Sequence, residues 1–101
     1  MSTRRLSILV VDDESALREV LSLRIADWGY DVHTAADAAE AERLIQERRP
    51  DVVLSDVVLP DVTGLELLRR LKRHSPSLPV ILITAHGTID AAVEAMKEGA
   101  R

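Results

Sequence analysis

Three aspartates and one threonine stand where short apolar runs of the chain end. Asp12 and Asp13 follow the first run, Asp56 follows the third and Thr84 follows the fourth. If each run is a strand of one parallel sheet, these residues meet at the edge where such sheets bind ligands. Three carboxylates at one edge repel one another unless a cation neutralises them, and Mg²⁺ is the hard divalent ion that such oxygen ligands suit. The pattern predicts a magnesium site.

An ionised aspartate beside Mg²⁺ is also a competent nucleophile toward a phosphoryl group, because the ion screens the negative charge of the incoming oxygens. Asp56 suits this role best, since packing alone does not explain a carboxylate at the end of an apolar strand. The Thr84 hydroxyl is small enough to donate a hydrogen bond to a phosphoryl oxygen carried by Asp56. The residues indicate phosphoryl transfer to Asp56, with Thr84 as the sensor of the product.

Simpler interpretations stay open for most of these residues taken singly. Asp13 has the position of a helix N-cap, and Asp12 is also explained as a solvated loop residue. Thr84 is equally typical of a strand-end hydroxyl that satisfies a backbone group. The histidines show no spacing typical of a metal site, so we expect surface or loop positions for His33, His74 and His86.

A parallel sheet is needed to bring the aspartates together, and the chain alternates apolar runs with amphipathic stretches as repeated βα units do. The predicted strands are residues 6–11, 30–35, 52–55 and 80–83. Neither an internal sequence repeat nor a linker interrupts this alternation. We therefore expect an α/β fold with one domain over residues 1–101.

A helix is predicted after each strand from the spacing of the apolar residues. Gly29 is expected to end the first helix, and Trp28 before it is expected in the core. Asp37 and Thr63, each followed by a glutamate three residues later, are the predicted N-caps of the second and third helices. The fourth helix is expected between a Thr88 cap and a stop at Gly99, with its inner face over residues 89–96.

Composition excludes several classes of protein. The formal net charge is −4 and the basic residues are scattered, so DNA contact by this chain is not expected. No cysteine is present, which excludes disulfides and Cys-based zinc sites and favours a cytoplasmic location. Apolar residues make up 47% and charged residues 30%, which is typical of a globular fold and not of a disordered tail or a membrane protein.

Three motifs in order, ILVVDDE, DVVLSDVVLPDVTGLELL and PVILITAHG, resemble the receiver domains of bacterial response regulators. The resemblance runs from Ile8 to the end of the chain. It implies a flavodoxin-like (CheY-like) doubly wound parallel sheet with strand order 2-1-3-4 here. The segment HGTIDAAVEAMKEGA looks most like receivers of the NtrC class.

By position, the resemblance makes Asp56 the phospho-acceptor, Asp13 a direct Mg²⁺ ligand and Asp12 an acidic partner acting mainly through water. Val58 would offer its backbone carbonyl to the metal. Thr84 matches the switch hydroxyl. The remaining matched positions are Ala85, which leaves room for the phosphoryl group, and the loop-shaping residues Pro60 and Gly64.

The function implied by the resemblance is two-component signal transduction. A sensor histidine kinase would donate the phosphoryl group, and the chain would not be an enzyme beyond self-catalysed phosphotransfer and dephosphorylation. In the NtrC class the output is transcription, through a downstream ATPase domain that activates sigma-54 polymerase.

The chain departs from the family at its C-terminal end, where a fifth strand with a lysine and an aromatic switch residue, and a fifth helix, would follow. Lys97 does not replace that lysine, because it belongs to the predicted fourth helix. We expect an incomplete receiver domain whose uncovered apolar face allows homodimerisation or segment exchange.

Two rival functions remain at this level. A phosphatase with an aspartyl nucleophile usually carries a second aspartate two residues later, and Val58 occupies that place. A phosphorylation-independent interaction module of the same fold would not need the aspartates at the strand ends, but the missing lysine keeps it open.

Overall fold

The computed structural model describes residues 5–83 of the chain. Within them strands and helices alternate: β1 (Ser7–Val11), α1 (Ser15–Asp27), β2 (Asp31–Ala35), α2 (Ala38–Arg48), β3 (Val52–Asp56), α3 (Gly64–His74) and β4 (Val80–Ile83). The four predicted strands are confirmed, with ends that differ by one residue at most. The predicted helix over residues 89–96 lies outside the described residues.

The four strands form one parallel sheet in the order β2-β1-β3-β4, which confirms the predicted α/β class and strand order. β1 lies in the middle between β2 and β3, and β4 pairs with the other side of β3. Strands that follow one another along the chain are joined by connections that contain one helix each, as parallel strands require.

One face of the sheet packs against α2 and α3 and forms the core. Side chains alternate along a strand, so odd-numbered residues of β1 and β3 point to this face. Leu67, Leu68 and Leu71 of α3 are buried there, and each contributes roughly 1.5–3 kcal/mol to folding. The buried cluster also contains Leu9, Val11, Ala35, Ala38, Ala41, Val53, Leu59 and Val80.

The predicted N-caps of α2 and α3 are confirmed. The Asp37 carboxylate accepts a hydrogen bond from the Glu40 amide (2.8 Å), and the Thr63 hydroxyl accepts one from the Glu66 amide (3.0 Å). Glu40 in turn accepts from the amide of Ala36, one residue before the cap, at 2.9 Å. The first two bonds each satisfy a backbone donor that the helix itself leaves free, and the third satisfies the amide just before the cap.

The two ends of α1 differ in how well the sequence predicted them. Gly29 ends the helix as expected, with φ +97°. The amide of Gly29 donates to the carbonyl of Ala26 (3.0 Å), and the amide of Tyr30 donates to the carbonyl of Ile25 (3.4 Å). These bonds form a Schellman motif. The interpretation of Asp13 as the N-cap is wrong, because Glu14 occupies that position and its side chain makes no capping bond.

Within residues 5–83, α1 packs on the other face of the sheet and leaves part of it open, and the expectation that Trp28 is a core residue is wrong. Trp28 is 69% exposed at the end of α1. It lines an apolar groove, which we define by Leu6, Ile8, Ile25, Trp28, Tyr30, Val52, Leu54 and Ile81. Ile8, Leu54 and Ile81 of the sheet line the same groove, so Trp28 lies beside the sheet. A helical stripe shows which residues are apolar on one side, but not whether another element covers them.

Candidate functional site

The strand register brings the first and third aspartates together. Val11 of β1 is paired with Ser55 of β3, so the next positions, Asp12 and Asp56, are neighbours at the carboxyl ends of the two central strands. Carboxylate oxygens of Asp12, Asp13 and Asp56 lie within 4.8 Å of one another. We call these three residues the acidic edge. Its residues are those predicted from the sequence to meet at this position.

Asp12 is the most constrained member of the acidic edge, with only 1% of its surface exposed. Its Oδ1 accepts a hydrogen bond from the Glu14 amide (2.8 Å), whereas the buried Oδ2 has no partner among the described residues. Burial raises the pKa of Asp12, the bond from the Glu14 amide opposes this effect, and the negative charges of Asp56, Asp13 and Glu14 raise the pKa further. The ionised form of Asp12 is therefore disfavoured without a cation.

Asp56 is 2% exposed and is held by its own loop. Its Oδ1 accepts a hydrogen bond from the amide of Val58 at 3.1 Å. The amide of Val57 donates to the carbonyl of Ile83 on β4 (3.2 Å), which fixes the backbone after the strand. The Val58 amide thus orients the carboxylate, and the bond to Ile83 fixes the backbone that carries it.

Gly64 shapes the return of the chain after Asp56. Its amide donates to the Val57 carbonyl (2.6 Å), and a β-carbon placed on it would lie 2.8 Å from the α-carbon of Val57 and closer still to the Asp56 carbonyl oxygen. No side chain fits in this position without movement of the backbone. The resemblance marked Gly64 as a loop-shaping residue, and the structure supplies the steric reason.

Two further residues, for which no functional role was predicted from the sequence, support this edge. Arg18 of α1 donates from Nη1 to the Asp12 carbonyl at 2.6 Å, so it fixes the backbone of the acidic edge. Asp61, in the loop after Asp56, accepts backbone amides at the start of α2. Both contacts join residues from different elements, and no local motif signals them.

The acidic edge fits a hard divalent cation. Three carboxylates converge, one of them offers a buried oxygen without a hydrogen-bond partner, and within residues 5–83 no basic side chain forms an ion pair with any of the three. Oxygen ligands of this kind are those that Mg²⁺ prefers. The Val58 carbonyl stays a predicted ligand, and Thr84 and Ala85 lie outside the described residues.

Comparison with known proteins identifies the family. The sequence profile of the response regulator receiver domain matches residues 8–101. The chain belongs to this family. The DNA-binding transcriptional regulator NtrC of Escherichia coli (strain K12) is 43% identical over 93 residues, which are 92% of this chain and 20% of the regulator. The chain therefore spans about a fifth of the length of that relative.

Solved receiver structures share the fold. A response regulator receiver domain protein from Clostridium thermocellum superposes with a TM-score of 0.89 at 38% identity, covering 94% of this chain and 77% of that one. NtrX from Brucella abortus gives a TM-score of 0.91 at 39% identity, covering 97% of this chain and 22% of NtrX. This receiver domain thus resembles the NtrC class, as the sequence motifs indicated.

None of the helices in the described residues has the length and apolarity needed to cross a membrane.

Proposed function

We propose that this receiver domain accepts a phosphoryl group on Asp56 from a partner histidine kinase, in a reaction that depends on Mg²⁺. The observation that carries the proposal is a buried Asp56 carboxylate, beside Asp12 and Asp13, at the carboxyl end of a central strand. A carboxylate oxygen of Asp56 would attack the phosphorus of a phosphohistidine. The P–N bond would break, and the imidazole would leave with the electron pair and take up a proton.

The chain's own groups prepare this step. The Val58 amide holds one oxygen of the Asp56 carboxylate, which orients the nucleophile, and Gly64 lets the following helix start directly against the acceptor's backbone. Asp12, Asp13, Asp56 and the Val58 carbonyl would hold the metal. When bound, Mg²⁺ supplies positive charge that offsets the charge of the carboxylates and of the phosphoryl oxygens. Thr84 would donate a hydrogen bond to the phosphoryl group on Asp56.

The wider role follows from the relatives. We propose a cytoplasmic two-component regulator whose phosphorylation controls transcription through an output domain, with a sigma-54 activator ATPase as the first candidate. The chain itself would act as a phosphoryl acceptor and signalling module and not as an enzyme on an external substrate.

Intact mass after incubation with acetyl phosphate and Mg²⁺ tests the proposal. We expect the mass of one phosphoryl group to be added, and we expect no addition in Asp56→Asn or in the presence of a metal chelator. Glu42→Gln, which removes a carboxylate far from the acidic edge, serves as the matched control and should gain the phosphoryl group normally. An adduct that persists in Asp56→Asn would overturn the assignment of the acceptor.

Homodimerisation through the apolar groove is a second, separate proposal. Its support is the exposure of Trp28 and Ile81, which are 69% and 37% accessible and line the same groove. Light scattering over a range of concentrations should show a dimer that Trp28→Lys converts to a monomer. A monodisperse monomer at high concentration would contradict it.

A further inference from the structure

Asp61 lies in the loop that follows Asp56, yet its carboxylate bonds to a different element. Oδ1 accepts a hydrogen bond from the Ala38 amide and Oδ2 accepts one from the Ala39 amide, both at 3.0 Å. Oδ1 also accepts from the amide of Val62 in its own loop (3.0 Å). One side chain therefore ties the loop of residues 57–63 to the first turn of α2.

Two aspartates cap the start of α2, and each accepts different backbone amides. Asp37, the local N-cap, accepts the amide of Glu40, while Asp61 accepts the two amides before it. A carboxylate at this end of a helix is favoured by the partial positive charge of the free amides. Burial acts to raise the pKa of Asp61, but the bonds from the amides of Ala38, Ala39 and Val62 outweigh this and lower it. The tie is thus made by an ionised carboxylate.

Other contacts anchor the loop in the core, where Leu59 is buried, and at its two ends. Near its start, the Val58 amide donates a hydrogen bond to the Asp56 carboxylate. Val58 also forms an isolated antiparallel bridge with Thr63 at the end of the loop, and the Gly64 amide donates to the Val57 carbonyl. These contacts close the loop upon itself and upon α3. The bonds from Asp61 are what attach its outer part to α2.

We infer that Asp61 is a positioning residue, which fixes the 57–63 loop against the start of α2 and so holds the Val58 backbone in place beside Asp56. Its effect on phosphoryl transfer rests on the proposed function, whereas its effect on the loop does not. Residues that orient the ligands of a metal site commonly change metal affinity by 10- to 100-fold when removed, and we expect about tenfold weaker Mg²⁺ binding for Asp61→Ala.

Asp37→Ala is the matched control, because it removes a cap from the same helix end without touching the loop. Three quantities should be compared in the whole chain: amide hydrogen exchange at Val58 and Val62, the midpoint of a Mg²⁺ titration followed by amide chemical shifts, and the rate of adduct formation with acetyl phosphate. Asp61→Ala should speed exchange in the loop, raise the Mg²⁺ midpoint about tenfold and slow adduct formation. Asp37→Ala should lower the stability of α2 and leave all three nearly unchanged.

Asp61→Asn provides a second variant of the same size, which keeps one acceptor oxygen. We expect it to recover part of the loop protection and of the Mg²⁺ affinity. Equal loop exchange and equal Mg²⁺ midpoints in Asp61→Ala and Asp37→Ala would overturn the inference. If the unaltered chain forms no adduct while the two variants still differ in loop exchange, the positioning role stands and the proposed function fails.

Discussion

The acidic edge and the surface between α2 and α3 handle negative charge in opposite ways. On the helices, Arg70 contacts Glu42 at 3.1 Å and Glu66 at 3.3 Å, forming what we call the ion network. Hydrogen bonding to Glu42, and then to Glu66, raises the pKa of Arg70 against the opposing effect of burial. At the acidic edge, by contrast, three carboxylates face one another and the pKa of Asp12 is raised.

The two regions differ in whether the folded chain places positive charge beside its negative charges. The ion network satisfies its own charges in a solvent-exposed setting, where each pair adds little stability and is screened by salt. The acidic edge places the exposed Asp13 beside two buried carboxylates, Asp12 and Asp56, and this concentration of like charge costs stability in the metal-free chain. Such a cost is typical of sites shaped for a ligand, and the ligand that relieves it is a cation.

The largest effect is expected on Mg²⁺ binding at the acidic edge. Asp13→Ala should raise the midpoint of a Mg²⁺ titration by about tenfold or more, because it removes a carboxylate that we propose as a direct ligand. Glu42→Ala, which removes a carboxylate from the ion network, should leave the midpoint unchanged. Calorimetric titration measures both, and equal midpoints for the two variants would remove the contrast between the two regions.

The backbone behind Asp56 is the next most sensitive point. Gly64→Ala should lower the free energy of unfolding by about 1–3 kcal/mol, because the new methyl group meets the backbone of Asp56 and Val57. Gly29→Ala is the control for backbone strain alone, since φ is +97° there but no atom lies within 4 Å of the added carbon. We expect about 1 kcal/mol for Gly29→Ala. Urea denaturation of both variants checks the order.

Stability against pH in metal-free buffer should reveal the charge repulsion at Asp12. Because its folded-state pKa is raised, the folded chain holds the proton more tightly than the unfolded chain, so Asp12 lowers stability as pH rises through that pKa. Asp12→Asn should therefore gain on the order of 1 kcal/mol at neutral pH. The gain in stability of Asp12→Asn should shrink as the pH falls toward 3.8, the ordinary pKa of an aspartate.

In saturating Mg²⁺ the unaltered chain should be more stable than Asp12→Asn, because the ion stabilises the chain that binds it more tightly. A stability difference between Asp12→Asn and the unaltered chain that does not vary with pH or Mg²⁺ would mean that charge repulsion is not its cause. Denaturant unfolding at several pH values, with and without the ion, separates these outcomes.

The smallest effect is expected in the ion network. Arg70→Ala should shift the midpoint of thermal unfolding by about 2 °C or less, and the shift should diminish in high salt, because both partners are exposed. Phosphorylation of Asp56 should not change in this variant. A loss of unfolding free energy as large as that of Gly64→Ala would show that the ion network is needed for the fold and is not a set of weak surface pairs.

Much of the fold was predictable because its signals are local. Apolar runs and their spacing predicted all four described strands to within one residue, and Asp37, Thr63 and Gly29 predicted helix ends through bonds that span a few residues. The alternation of strands and helices predicted the parallel sheet. From that sheet alone it followed that Asp12, Asp13 and Asp56 would meet, since carboxyl ends of parallel strands share one edge.

The tertiary structure decided whatever depends on the placement of one element against another. Asp61 bonds to amides 22 and 23 residues away, and Arg18 reaches the backbone of Asp12 from the next element. The sequence also misplaced Trp28, because a helical stripe shows which side of a helix is apolar but not whether another element covers that side. Local chemistry determined which residues form the acidic edge, and packing between elements determined which other residues hold it in position.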